Sequence, residues 1–223
     1  MNTRDPLLDK TGLEGRLKDV RKVYEAGKTE SAGYRPRNVD LGHWEPTHFE
    51  ILIPELMRIR RLTATGVLSA KHKTLVAGAG DLRRSAGLAA MGYSNITAAE
   101  INPEIAWDGY ENIERLESTG IIAPGAISMR IGSFLDDSQY ALHHERFSDY
   151  GQIFGYLRKV NNDALLSKIE NESAPGTHVF LLSLLDWKVP MTSLTEKDFY
   201  YLRPQTRGIT HRNLTHYIKQ ERS

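Results

Sequence analysis

The chain has 223 residues, a formal net charge of +1 and no cysteine. That length suits one domain with a full core and a small extension; the missing thiols exclude disulfides, thiolate metal sites and a cysteine nucleophile, and fit a cytoplasmic home. Hydrophobic residues at 40% and charged residues at 26% describe a globular rather than a disordered chain, and the near-neutral balance speaks against strong, non-specific nucleic-acid binding.

No apolar run approaches the roughly 18 residues of a membrane span. The opening MNTRDPLLDK lacks the apolar segment of a secretory signal, so no membrane partner is expected. Residues 1–12 read as a polar arm. Leu13, Leu17, Val20 and Tyr24 then recur at helical spacing and predict an amphipathic helix that ends at Gly27. Residues 28–46, KTESAGYRPRNVDLGHWEP, form a loop long enough to suggest a lid. Its Tyr34, His43 and Trp44 are suited to covering a substrate, with His43 the candidate base; alternatively Trp44 pins the loop to the core. Thr47 with Glu50 makes a capping box, and Phe49, Leu52, Ile53, Leu56 and Met57 give the next helix its apolar face. Pro54 is expected to kink or restart that helix, and Gly66 to stop it. The resulting division is an N-terminal helical extension and lid over 1–69 and a main domain over 70–223.

Residues 74–104, TLVAGAGDLRRSAGLAAMGYSNITAAEINPE, organise the rest. They read as a strand at 75–77, a turn at Gly78-Ala79-Gly80, a small-residue helix at 86–91 stopped by Gly92, and a second strand at 96–99 closed by Glu100. A strand running through glycines into a helix leaves backbone N–H groups open to close approach by a ligand. Glu100 stands 22 residues after Gly78, where a nucleotide-binding β-α-β unit places a ribose-binding carboxylate. A dinucleotide fingerprint would need a third glycine at the position of Arg83. A bulky cation there hinders helix–strand packing but could answer a phosphate.

Asn102 and Pro103 are a cap and first residue for another helix, striped by Ile105, Ala106, Tyr110, Ile113 and Leu116 and closed by Gly120. A third strand at 126–131 leads into Gly132-Ser133-Phe134. Residues 138–146 are a polar connection. Its adjacent His143 and His144 point different ways on a helix, and no H-x-x-x-H or H-E-x-x-H pattern occurs, so no metal site is expected. A fourth strand at 149–156 enters a glycine-containing turn, and Leu165, Leu166 and Ile169 mark a helix. Pro175-Gly176 turns into a buried fifth strand at 178–185, and 198–202 with 214–218 suit a terminal hairpin.

The Gly78-Ala79-Gly80 turn, the spaced Glu100 and the Glu-Ile-Asn-Pro run at 100–103 resemble class I S-adenosylmethionine-dependent methyltransferases. The resemblance implies an α/β, Rossmann-like, seven-stranded mostly parallel sheet with helices on both faces, plus N-terminal helices. It implies S-adenosylmethionine as cofactor, with Gly78, Ala79 and Gly80 at its amino-acid end and Glu100 on the ribose hydroxyls. Ile101 would lie against the adenine, Ser133 and Phe134 on its other side, and Gln152 near the methyl donor. The acceptor would enter beneath Tyr34, His43 and Trp44. The chain departs from the family pattern at Val76 and Ser133, where acidic residues are common. No Asn/Asp-Pro-Pro-aromatic run follows the fourth strand, which lowers a base-modifying role. The expected activity is methyl transfer to a small molecule. A non-catalytic methyltransferase-like domain, an RNA-directed enzyme using Arg58, Arg60 and Arg61, and a nicotinamide-dependent oxidoreductase stay open. Neither the acceptor nor the oligomeric state follows from the residues.

Overall fold

The structure is a computed structural model that describes residues 10–31, 49–156, 159–184, 194–202 and 212–221. Tyr34, His43, Trp44 and Thr47 lie outside the described residues. The elements are α1 (Lys10–Ser31), α2 (Phe49–Ala64), β1 (Thr74–Ala77), α3 (Arg83–Ala90), β2 (Ile96–Glu100), α4 (Pro103–Ser118), β3 (Ile127–Ile131), α5 (Asp137–Ala141), β4 (Gln152–Tyr156), α6 (Lys159–Glu172), β5 (His178–Leu184), β6 (Leu194–Leu202) and β7 (Arg212–Lys219).

One sheet runs in the order β3-β2-β1-β4-β5-β7-β6. Strands β1 to β5 pair in parallel; β7 runs antiparallel between β5 and β6. The order reverses beside β1, which is hydrogen-bonded to both β2 and β4. Open α/β sheets bind ligands in the crevice at the carboxyl ends of such neighbours.

In β1, β2, β4 and β5 alternate side chains are buried on the two faces of the sheet, and helices cover both. Val76, Ala98, Phe154 and Phe180 face one core, shared with Leu13, Leu17, Val20 and Tyr24 of α1 and with Leu52, Leu56 and Ile59 of α2. The N-terminal helices therefore belong to the same core as the sheet. Leu75, Ala77, Ile153, Val179 and Leu181 face the other core, with Leu165, Leu166 and Ile169 of α6.

Four local expectations are corrected. Helix α1 passes through Gly27 to Ser31, since one glycine costs a helix only about 1 kcal/mol against alanine. Helix α2 is unbroken through Pro54. Its missing N–H leaves only the carbonyl four residues back, on exposed Glu50, for water. Residues 147–149 form a 3-10 turn, so β4 begins at Gln152. Tyr110 lies on the outward side of α4 rather than in its apolar stripe.

Candidate functional site

Strand β1 ends at Ala77, and the chain turns through Gly78 (φ 66°) and Gly80 (φ 58°), left-handed conformations that favour glycine. Leu82 also has positive φ (63°), and no side chain caps the start of α3. The Ala79 N–H donates to the Ala99 carbonyl at 2.9 Å, which fixes the turn to the end of β2.

Glu100 closes β2 and reaches back over this turn. One carboxylate oxygen accepts the Gly80 N–H at 2.8 Å, and the other accepts the Asn102 N–H at 2.9 Å. Glu100 is only 7% exposed, so its charge is held by two backbone donors. Each oxygen keeps a lone-pair direction for a further donor. Asn102 carries the chain into α4 by accepting the Glu104 N–H at 3.0 Å, with Pro103 at the first helical position.

Around this centre, Ile101 is an apolar residue left 48% exposed at the carboxyl end of β2. Gly132 follows β3 and donates its N–H to the Glu100 carbonyl. The Ser133 hydroxyl accepts the Leu135 N–H at 3.2 Å, and Phe134 packs partly into the second core. The two nearby acids are committed elsewhere. Asp136 caps α5 and is held below the usual carboxylate range by the hydroxyl and N–H of Ser138, while Asp137 pairs with Lys168. Gly155 of β4 lies beside Ala77 at the mouth of the crevice.

Gln152 is a correction. It pairs with Thr74 at the amino end of β4, on the opposite edge of the sheet from the turn. It is fully buried, taking a hydrogen bond from the Tyr93 hydroxyl and donating to the Ser69 carbonyl at 2.6 Å. The structure thus brings Gly78, Ala79, Gly80, Glu100, Ile101, Ser133 and Phe134 to one edge and leaves Gln152 out. His143 and His144 are exposed on the α5 side.

Several supporting residues gave no sequence signal. Asp81 chelates Arg83, whose Nε lies 2.9 and 2.8 Å from the two carboxylate oxygens. The guanidinium sits over the rings of Tyr24 and Phe49 at 5.5 and 5.3 Å. Residues two apart do not meet on a helix; these do because Leu82 between them is left-handed. Arg83 is thereby engaged in docking α1 and α2. On the other flank, α4 presses in through Gly109, where a Cβ would come within 2.8 Å of the Asp81 backbone. Beside it, the Asp108 carboxyl is raised by burial and by the carboxylates of Glu111, Asp81 and Glu104. Among the described residues, no group of three or more potential ligands is arranged to hold a metal, and no helix is long and apolar enough to cross a membrane.

No protein-family model and no curated protein matches the chain in sequence. Solved structures do match in fold. A Pyrococcus horikoshii protein proposed to be an RNA methyltransferase aligns with a TM-score of 0.59 at 14% identity, over 92% of this chain and 100% of its own. An RNA methyltransferase from Salinibacter ruber, in complex with S-adenosylhomocysteine, aligns at 0.52 and 16% identity over 80% and 96%. A variant of MtNAS in complex with S-adenosylmethionine aligns at 0.55 and 12% over 94% and 74%. The strand order, the reversed β7 and these likenesses define the class I S-adenosylmethionine-dependent methyltransferase fold.

Proposed function

We propose that the chain binds S-adenosylmethionine at the carboxyl ends of β1 and β2 and transfers its methyl group to a small molecule. The observation that carries this is the Glu100 carboxylate, anchored to the Gly80 and Asn102 N–H groups beside a glycine turn at the switch point of the sheet. The residues fit the group. Gly78 and Gly80 admit close approach to the backbone, the open lone pairs of Glu100 suit two vicinal hydroxyls, and Ile101 offers an apolar surface to an adenine. Ser133 and Phe134 would border the same ring. S-adenosylmethionine brings a methyl on a sulfonium, already a good leaving group, so the protein's task is alignment and exclusion of water. Tyr34, His43 and Trp44 remain our proposed cover, with His43 the proposed base.

Charge favours a small acceptor over a polyanion. Beside the turn the Asp81 charge is matched by Arg83, which leaves the Asp108 carboxylate on that flank, whereas Arg58, Arg60 and Arg61 lie toward the opposite edge. Helix α2 meets Arg84 through Glu55 and reaches Tyr93, beyond the far end of α3, through Thr63. A second reading, methylation of RNA, draws on the Salinibacter ruber likeness.

The test is transfer of label from methyl-tritiated S-adenosylmethionine, offered a small-molecule extract and total RNA in parallel. Label in the small-molecule fraction is expected. Label in RNA would select the second reading, and label in neither, with no cofactor binding, would sink both.

A further inference from the structure

We infer that the outward face of α4 is a docking surface for a basic polypeptide segment of a partner protein. The inference rests on none of the cofactor assignment. Helix α4 buries Ile105, Ala106, Gly109, Ile113 and Leu116 against the sheet. Its opposite face should then be polar, yet it carries Trp107 at 56% exposure and Tyr110 at 39%, in edge-to-face contact at 5.7 Å. Two aromatic rings packed on each other in solvent are an anchor of the kind that dominates interfaces.

The surrounding charge names the occupant. Glu104, Asp108 and Glu111 lie along one side of the ring pair, and Glu114, one turn on from Tyr110, accepts a hydrogen bond from its hydroxyl. The helix has five carboxylates and one arginine, Arg115, and that arginine already lies 3.7 Å from Glu111. In a chain of net charge +1, this negative field is local. Polyanions and anionic lipid are repelled by it. Lysine and arginine are attracted twice, by the ring faces and by the carboxylates beside them. A convex helix face encloses no small ligand. From Glu104 to Glu114 it offers roughly 15 Å of length at the α-helical rise, which about five extended residues would span.

The test uses the intact chain and a nine-residue arginine peptide as probe, followed by calorimetry, with a nine-residue glutamate peptide and a citrulline analogue as controls. The arginine peptide alone should bind, and more weakly as salt is raised. Its affinity should fall at least tenfold in Trp107→Ala and in the double variant Glu111→Lys with Glu114→Lys, and be kept in Trp107→Phe. Melting temperature should be unchanged in all three. No binding of the arginine peptide, equal binding to every variant, or equal binding of the citrulline analogue would overturn the proposal. So would a concentration-dependent dimer of the wild type that Trp107→Ala abolishes in sedimentation, because the face would then belong to a second copy.

Discussion

The Tyr24 hydroxyl donates a hydrogen bond of 2.9 Å to the Asp81 carbonyl, 57 residues away. It fastens α1 to the segment between the glycine turn and α3. Arg83, held by Asp81 over the rings of Tyr24 and Phe49, fastens the same segment from the side. An N-terminal helix distant in sequence thus holds the edge of the candidate site. Replacing Tyr24 by Phe removes one buried hydrogen bond and nothing else. The expected cost is about 1 kcal/mol in urea unfolding, with weaker S-adenosylhomocysteine binding measured well below the melting temperature. 5′-Methylthioadenosine lacks the amino-acid end assigned to the turn, and its affinity should be unchanged.

Two glycines in helices should respond to alanine with opposite signs. At Gly15 nothing lies within 4 Å of an added Cβ, so Gly15→Ala should stabilise by about 0.5–1 kcal/mol through reduced backbone entropy. At Gly109 the Cβ would press on Leu82 and on the Asp81 backbone at 2.7 to 2.9 Å. Gly109→Ala should destabilise by about 1–3 kcal/mol and displace the turn. Urea midpoints of the two variants check both signs.

Arg84 and Glu55 form a buried pair with bonds of 2.7 and 3.0 Å that joins α3 to α2. Removing either partner leaves a charge without its counter-ion in the core. Arg84→Met or Glu55→Gln alone should cost about 3–5 kcal/mol, and the double variant much less than the sum. A double-mutant cycle by urea unfolding measures the coupling.

The sequence made the central unit legible because its signals are local. Gly78 and Gly80 mark a turn that requires positive φ, and Asn102-Pro103 spells out a helix start. Leu13, Leu17, Val20 and Tyr24 give α1 its packed face, but Gly27 does not mark its far end, which lies at Ser31. Gln152 stands at the other edge because Gly155, which reads as part of a turn, lies inside β4; only pairing with Thr74 fixes where the strand begins. The supports at Tyr24, Asp81 and Gly109 were illegible because they are long-range contacts through backbone atoms, which carry no residue pattern.

Acid should loosen the far edge of the sheet. His178 Nδ1 and His216 Nε2 lie 2.9 Å apart, and the His216 ring stacks on Phe180 at 4.4 Å. Burial first, and then the charge of His72, lowers the His178 pKa from its ordinary 6.5. The unfolded chain therefore takes up this proton at a higher pH than the folded one. The contribution is fully present above about pH 6.5 and is lost as pH falls through the lower, folded value. Melting temperature should drop as pH is lowered from 7 to 5, and His178→Gln should flatten that slope.

The central claim is that Glu100 and the glycine turn form a cofactor pocket. Its most direct test is a calorimetric titration with S-adenosylhomocysteine of the wild type and of Glu100→Ala, with melting curves of both. Micromolar binding by the wild type and at least tenfold weaker binding by a folded Glu100→Ala is the predicted result. No binding by the wild type, or equal binding by the variant, would contradict it.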